Sequence, residues 1–151
     1  MRWKIVMVFI AAITLLVGCS EKTYEPRAIN PETDICKVCN MSIAHQDYAG
    51  QLVFKNGDYE IFDDLGCLIE FMEDTEESEV GAAFIKDASE DQWINIENAT
   101  YIYSEEYWTP MYYGVLAFSS KEAAENYMEE NGEGDFLTYD DLFDFNWGIH
   151  H

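Results

Sequence analysis

A pattern that occurs twice in the chain constrains its fold more than any other feature of the sequence. Residues 48–54 and 112–118 both read Y-x-G-x-L-x-F, and this alternation is typical of a half-buried strand. A second match comes next in each copy, where Phe62 and Phe118 precede two Asp or two Ser residues that can cap a helix. Two matches in the same order indicate an old duplication of a small unit.

The rest of the sequence favours strands over helices. Further strands are predicted over residues 59–62, 82–85, 93–96 and 100–103. One helix of about ten residues is predicted after the Asp pair, and a second over residues 120–130, ending near a glycine. Because strands dominate and two helices are available to pack on them, the class expected is α+β with a mainly antiparallel sheet.

The charge of the chain excludes one large class of function. Its 151 residues include 30 acidic and only 8 basic side chains, which gives a net charge of −22. Phosphate backbones repel such a chain, so no nucleic acid is expected among its partners. Aromatic residues make up 15% of the sequence, too many for a disordered acidic tail, and the length suits one domain or two small units.

The amino terminus is typical of an exported lipoprotein. Two basic residues precede an apolar run over residues 5–17, and the sequence around Gly18 and Cys19 looks like a bacterial lipobox. We therefore predict a signal peptide over residues 1–18, with lipidation of Cys19 and a linker over residues 19–33. The alternative is a signal anchor followed by an incidental cysteine. The prediction places the mature protein on the extracytoplasmic face of a bacterial cell membrane, with a net charge of −24 once the leader is removed.

A cluster of soft donor atoms lies just before the first repeated strand. It holds two thiols, a thioether and an imidazole within ten residues, from Cys36, Cys39, Met41 and His45. Zinc would require four ligands at fixed spacing, and a thioredoxin-like pair would require its C-x-x-C between a strand and a helix; neither pattern is present. Thiolate and thioether together select Cu(I), which is satisfied by two or three such ligands.

Each of these residues also has a structural interpretation. Cys36 and Cys39 are close enough to form a short disulfide, although the three cysteines other than Cys19 leave at least one thiol unpaired. Met41 alone would be core filler, and His45 alone a surface or capped histidine. Cys67, in the first turns of the first predicted helix, is expected to be a small buried apolar thiol.

Met111 is the other candidate ligand. It comes directly after a proline in the loop that enters the second copy of the repeat, a position poorly suited to deep burial. If the two repeated strands are related by pseudo-symmetry, the loops that enter them lie at comparable ends of the sheet. Met111 is then expected to approach Cys39 and Met41.

At these residues the sequence resembles the NosL family, the copper-binding lipoproteins that serve as nitrous oxide reductase accessory proteins. The resemblance covers essentially the whole mature chain. It rests on an ordered set of features: the lipobox, Cys39-Asn40-Met41 in place of a C-G-M-type motif, residues 93–96 leading into 101–103, Met111, residues 117–118, the Ala123-Ala124 helix and Gly132.

The resemblance implies a fold of two small related ββαβ-type units with a mainly antiparallel sheet and two packed helices. We place the copper-binding domain at residues 34–151. Its units span about 34–80 and 81–138, and an acidic-aromatic tail covers 139–151.

The resemblance also implies a cofactor and its ligands, namely Cu(I) bound through sulfur with some imidazole character. Cys39, Met41 and Met111 match the soft-donor positions of the family, and His45 falls near a histidine that some members have. The chain departs from the family pattern at two positions: Asn40 replaces the usual glycine, and Cys36 is an added thiol. Asparagine can still adopt a left-handed backbone, whereas Cys36 either joins the site or oxidises with Cys39.

Together these features predict a membrane-anchored Cu(I) metallochaperone without catalytic turnover. Its partner would be a copper-accepting reductase outside the cytoplasm, which the resemblance implies is nitrous oxide reductase, or the machinery that matures it. Two alternatives remain. One is a thiol-disulfide redox lipoprotein that cycles Cys36 and Cys39, and the other is a noncatalytic lipoprotein interaction module in which that pair is a structural disulfide.

Overall fold

The computed structural model describes residues 22–148, so the predicted leader and Cys19 lie outside the described residues. Within this range the chain forms seven strands in two sheets: β1 (Gly50–Phe54), β2 (Tyr59–Phe62), β3 (Val80–Lys86), β4 (Trp93–Asn95), β5 (Thr100–Tyr103), β6 (Val115–Phe118) and β7 (Asp135–Leu137). The α-helices are α1 (Leu65–Glu73), α2 (Lys121–Asn131) and α3 (Asp141–Asp144), and 3₁₀ turns span Gln46–Tyr48, Glu77–Glu79 and Ile96–Asn98. None of the helices between residues 22 and 148 has the length and hydrophobicity needed to cross a membrane.

Each sheet is built around an early strand, β1 in the first and β5 in the second, and each sheet with its helix is called a unit below. β1 pairs with β2 and β3, and β4 extends the sheet to give the order β2-β1-β3-β4. β5 pairs with β6 and β7 in the same manner, in the order β6-β5-β7, and every pairing is antiparallel. Since α1 comes after β2 and α2 comes after β6, both units read ββαβ. The predicted α+β fold with two packed helices is therefore confirmed.

The repeated sequence pattern falls on strands that are not equivalent. Residues 48–54 contain β1, a central strand, whereas residues 112–118 contain β6, which lies at the edge of its sheet. By position in the units, β1 corresponds to β5 and β2 corresponds to β6. In both units, however, a capped helix begins shortly after the phenylalanine, Phe62 in the first and Phe118 in the second. The two repeated strands are therefore not related by position, because alternation alone does not distinguish a central strand from an edge strand.

The start of each long helix is fixed by its cap, as the sequence predicts. The Asp64 side chain accepts a hydrogen bond of 3.3 Å from the backbone N–H of Gly66, and Ser120 accepts one of 3.1 Å from Ala123. These bonds satisfy backbone donors that lack partners within the helix. α2 ends at Gly132, whose φ of +106° is a conformation that glycine adopts at little cost.

The acidic-aromatic tail completes the main core. Trp147 is buried, its indole N–H donates a 2.8 Å hydrogen bond to the carbonyl of Leu142, and its ring packs edge-on against Tyr113. Both rings cover Gly66 in α1, where a Cβ atom would collide with them. The tail is thus packed directly against the helix that comes after β2.

Asp87 joins the two sheets at the end of β3. Its carboxylate accepts hydrogen bonds from the backbone and hydroxyl of Ser89, from Gln92, and from the backbone N–H of Ser119 after β6, at 2.7–3.1 Å. Burial raises the pKa of Asp87, but these hydrogen bonds outweigh that effect and hold it at about 2. An ionised carboxylate therefore links the two units.

Residues 22–33 form neither helix nor strand, yet they lie against the first unit. Arg27 forms a two-pronged ion pair with Asp34 at 2.7 and 2.9 Å, and its backbone N–H donates a 2.7 Å hydrogen bond to Gln51 in β1. Its guanidinium also lies 4.0 Å from the centre of the Tyr59 ring. The described part of the predicted linker is therefore packed on the domain.

Candidate metal centre

Three of the candidate ligands, Cys36, Cys39 and Met41, lie in a tight loop that closes on itself. An isolated antiparallel bridge joins Ile35 to Ser42 across the loop. Inside it, the N–H of Cys36 donates a 2.8 Å hydrogen bond to the carbonyl of Met41, and the N–H of Asn40 donates one of 3.1 Å to the carbonyl of Cys36. Asn40 has a φ of +60°, so the left-handed backbone predicted for it is confirmed.

The loop is held beside the junction of β2 and α1. The N–H of Lys37 donates a 2.9 Å hydrogen bond to the carbonyl of Ile61, near the end of β2. At this junction Asp64 caps α1, while Asp63 lies next to the loop and Cys67 occupies the first turn of the helix. Residues far apart in sequence are thereby brought to one place.

Three thiols and one carboxylate converge at this junction. The ligand atoms of Cys36, Cys39, Asp63 and Cys67 all lie within 4.8 Å of one another. All three sulfurs are free thiols. Cys36 and Cys67 are each 1% exposed and Asp63 is 3% exposed, whereas Cys39 is only partly buried. Cys39 donates a 3.3 Å hydrogen bond to Asp63. We call these four residues the thiol cluster.

The thiols of the cluster differ in acidity. A hydrogen bond from Cys67 lowers the pKa of Cys36 to about 7, against the opposing effect of burial, and backbone N–H groups add to the lowering. The same hydrogen bond, together with burial, raises the pKa of Cys67 far above its usual range. Burial raises the pKa of Cys39 to about 12. Cys36 is therefore the first of the three thiols to ionise.

An open groove of about 400 Å³ borders the thiol cluster, and Asp63 belongs to both. Its other lining residues come from the loop before β1 and from the segment before β6: Met41, Ser42, Ala44, His45, Trp108, Pro110 and Tyr112. Asp63 is thus the member of the cluster that reaches the groove, and it bonds to Cys39, the least buried of the three thiols.

The predicted ligands are divided between these two places. Cys36 and Cys39 belong to the thiol cluster, whereas Met41 and His45 line the groove. Met111 is half-buried against the main core, and its N–H donates a 3.1 Å hydrogen bond to Asp64, beside the cluster.

Sequence reasoning missed two members of the cluster. Cys67 is buried, as predicted, but its sulfur also faces the other thiols, and Asp63 was predicted only as part of a helix cap. The available signal is their position around the cap residue: Asp63 directly precedes Asp64 and Cys67 follows it by three residues, which puts both at the start of α1.

The cluster offers more ligands than the sequence indicated. The sequence indicated too few ligands for zinc. The structure adds Asp63 and Cys67, which bring the number of donors to four. The donors remain mainly sulfur, and sulfur ligands favour soft cations. The arrangement can hold a soft metal ion between the thiols and leave one side open to the groove.

Two comparisons relate the chain to known proteins. The family model described as NosL matches residues 26–144. The crystal structure of the copper chaperone NosL from Shewanella denitrificans is similar, with a TM-score of 0.67 and 23% sequence identity, over 79% of this chain and 96% of that chain. At this identity the likeness concerns the fold alone. No curated protein shows significant sequence similarity to the chain.

Proposed function

The chain belongs to the NosL family, and we propose that it is a Cu(I) metallochaperone, which carries copper as cargo and has no catalytic turnover. The observation that carries the proposal is the convergence of three free thiols at the junction of β2 and α1. A copper chaperone of similar fold supports it.

The donor set and its surroundings favour Cu(I) over harder ions. Sulfur ligands select Cu(I), and two or three of them are enough to hold it. Structural zinc sites are closed by four ligands, whereas Cys39 is only partly buried here and bonds to Asp63, which lines an open groove. An open side allows the ligands of an acceptor to attack the metal and exchange it, which a closed cage would prevent.

We propose Cys36, Cys39 and Cys67 as the inner ligands of the cargo. Met111 is retained as a further proposed ligand, because its backbone is tied to Asp64 directly beside the cluster. Met41 and His45, which line the groove together with Asp63, are retained as proposed ligands as well.

The proposal includes a membrane anchor at Cys19. Lys22 already contacts the domain through a 2.5 Å hydrogen bond to the carbonyl of Lys55. Only three residue steps separate Cys19 from Lys22, a span of at most roughly 10 Å. A lipid on Cys19 would therefore hold the domain close to the extracytoplasmic membrane surface. The client proposed is a copper enzyme matured there, nitrous oxide reductase or its maturation machinery.

The thiol-disulfide alternative is disfavoured by the placement of the thiols. A redox-active cysteine needs a low pKa together with access to its substrate. The thiol with the low pKa, Cys36, is buried, while the accessible thiol, Cys39, has a pKa raised to about 12 by burial. The two requirements thus fall on different residues.

The test is a titration of the reduced chain with Cu(I) against a chromophoric chelator. The wild-type chain is expected to compete for one Cu(I). The C36S/C39S/C67S variant should lose more affinity than the roughly 10- to 100-fold typical of an outer-shell substitution. Met111→Leu should weaken binding, and Met72→Leu, a thioether elsewhere in α1, should not. Equal affinity of the wild-type and triple-serine chains would contradict the proposal, and equal affinity of Met111→Leu would remove Met111 from the ligand set.

A further inference from the structure

We propose that Arg27 is a positioning residue for the copper site. By binding Asp34 from a fixed point on the first sheet, it holds the loop of residues 35–42 in place beside α1 before a metal binds. We call residues 35–42 the thiol loop. The placement of this loop is inferred from contacts alone, and only its consequence for copper binding rests on the proposed function.

Arg27 binds the residue that directly precedes the thiol loop. Its guanidinium donates hydrogen bonds of 2.9 and 2.7 Å to the two carboxylate oxygens of Asp34. The carbonyl of Asp34 accepts a 3.4 Å hydrogen bond from the N–H of Ile43, which directly follows the loop. Together with the bridge between Ile35 and Ser42, this bond closes the loop at its base. Arg27 is thus attached to the closed base of the loop.

Asp34 is fixed by the preceding turn as well. Its side chain accepts a 2.7 Å hydrogen bond from the N–H of Asn30, and its own N–H donates one of 2.8 Å to the carbonyl of Asn30. The side chain of Asp34 is only 11% exposed and that of Arg27 is 29% exposed, so the ion pair is partly shielded from solvent. A two-pronged pair of this kind is directional as well as strong. It therefore sets where the chain enters the thiol loop.

Arg27 is itself held on the first sheet. Its N–H donates a 2.7 Å hydrogen bond to the side-chain oxygen of Gln51 in β1, and the side-chain N–H of Gln51 donates one of 3.4 Å to the carbonyl of Arg27. Because Gln51 is fully buried, a shift of Arg27 would leave buried polar atoms without partners, which is costly. The guanidinium also lies over the ring of Tyr59 in β2. Arg27 therefore connects a fixed point of the sheet to the entrance of the thiol loop.

The placement of the thiol loop sets the distances between the proposed ligands. Cys36 and Cys39 lie in the loop, whereas Cys67 lies in the first turn of α1. The three sulfurs can share one ion only while the loop stays against the helix. Groups that orient metal ligands without touching the metal typically change affinity by about 10- to 100-fold. A loop that is already in place also avoids the cost of being ordered when the ion binds.

Charge alone would act on copper binding in the opposite direction. Arg27 is a cation, and its removal leaves the carboxylate of Asp34 unpaired. A purely electrostatic role therefore predicts that Cu(I) binds more tightly to Arg27→Gln. The positioning role predicts that Cu(I) binds more weakly, because the entrance of the thiol loop is released. The direction of the change in affinity separates the two roles.

The test titrates the reduced variants with Cu(I) against a chromophoric chelator. Arg27→Gln keeps the backbone bonds to Gln51 but loses the ion pair with Asp34, and its Cu(I) affinity should fall at least about tenfold. Arg27→Lys can still form one charged contact with Asp34 and should recover part of that loss. Lys37→Gln is the matched control. It removes the same charge from the thiol loop itself, where the pair with Glu60 is more exposed, and it should not lower the affinity.

Amide hydrogen exchange of the metal-free chain tests the placement of the thiol loop without copper. The N–H groups of Cys36 and Ile43 are both bonded across the loop, to the carbonyls of Met41 and Asp34. They should exchange severalfold faster in Arg27→Gln than in the wild-type chain, because the loop opens more often. The N–H of Leu52, in the middle of β1, should exchange at the same rate in both. A general loss of stability would instead speed exchange at all three positions.

A Cu(I) affinity of Arg27→Gln equal to or above that of the wild-type chain would overturn the proposal. An equal loss in Lys37→Gln, no recovery in Arg27→Lys, or unchanged exchange in the loop would overturn it as well. Failure of the proposed chaperone function is a separate result. It appears as weak Cu(I) binding by the wild-type chain, whereas the exchange measurement needs no metal.

Discussion

The thiol of Cys39 donates a 3.3 Å hydrogen bond to the buried carboxylate of Asp63. The hard oxygen donor of the cluster therefore lies within hydrogen-bond distance of a sulfur donor. A cation that prefers sulfur can bind the thiols while Asp63 stays outside its first shell, whereas a harder cation has to recruit the carboxylate. The carboxylate of Asp63 should therefore matter more for binding a hard cation than for binding a soft one.

Asp63→Asn should accordingly affect the two metals unequally. Zn²⁺ affinity is expected to fall at least about tenfold, because a carboxylate ligand is lost, while Cu(I) affinity changes by less than about threefold. Competition titrations with each ion measure the ratio. Asp74→Asn, at the exposed end of α1, is the control. A larger loss for Cu(I) than for Zn²⁺ would show that Asp63 is itself a copper ligand.

Cys67→Ser tests the ligand that no sequence motif revealed. Because its sulfur lies within 4.8 Å of the other ligand atoms, its loss should lower Cu(I) affinity by at least about tenfold. Ile69→Val, which removes one buried methylene from the same helix, controls for effects of packing. If Cys67→Ser binds Cu(I) as tightly as the wild-type chain, Cys67 is not a ligand and is only a buried apolar thiol.

Asp87→Asn should make the chain less stable in a pH-dependent way. The pKa of Asp87 is about 2 in the folded chain, below the ordinary value of 3.8, so ionised Asp87 stabilises the fold above about pH 4. That contribution, about 2 kcal/mol at neutral pH, is lost as the pH falls toward 2. Urea unfolding measures the free energy of unfolding of wild type and variant, and the difference between them should be smaller at pH 3 than at pH 7. Asp140→Asn, at an exposed carboxyl with no side-chain cap bond, is the control. A loss of stability in Asp87→Asn that does not depend on pH would contradict the role of the ionised group.

Trp147→Ala tests whether the acidic-aromatic tail belongs to the core. Removal of this buried ring, which packs on Tyr113 over Gly66, should cost about 3 to 5 kcal/mol of the free energy of unfolding. Phe136→Ala removes a ring that is largely exposed and should cost much less. Equal, small losses in both variants, measured by urea unfolding, would mean that the tail is dispensable for the fold.

Local signals in the sequence were enough for the elements and for part of the site. Strands β2 and β5 have the predicted bounds, and the caps at Asp64 and Ser120 are those expected, because a strand end followed by a capping side chain is encoded within a few residues. Cys36 and Cys39 were recognised for the same reason, since they lie three residues apart.

The features that the sequence did not reveal depend on contacts between distant residues. Cys67 joins Cys36 only because the backbone of Lys37 bonds to Ile61 and brings the loop to the start of α1. The repeated strand pattern misled for a related reason: β1 and β6 share an alternation although one is central and the other is at an edge. Strand order is set by pairing, which the pattern of a single strand does not contain.

Copper K-edge X-ray absorption of the reduced chain loaded with one equivalent of copper tests most directly whether the thiols hold the cargo. The proposed function predicts a Cu(I) edge and a first shell made mainly of sulfur, with that shell lost in the C36S/C39S/C67S variant. A first shell of nitrogen and oxygen in the wild-type chain, or a spectrum that the triple substitution leaves unchanged, would contradict it.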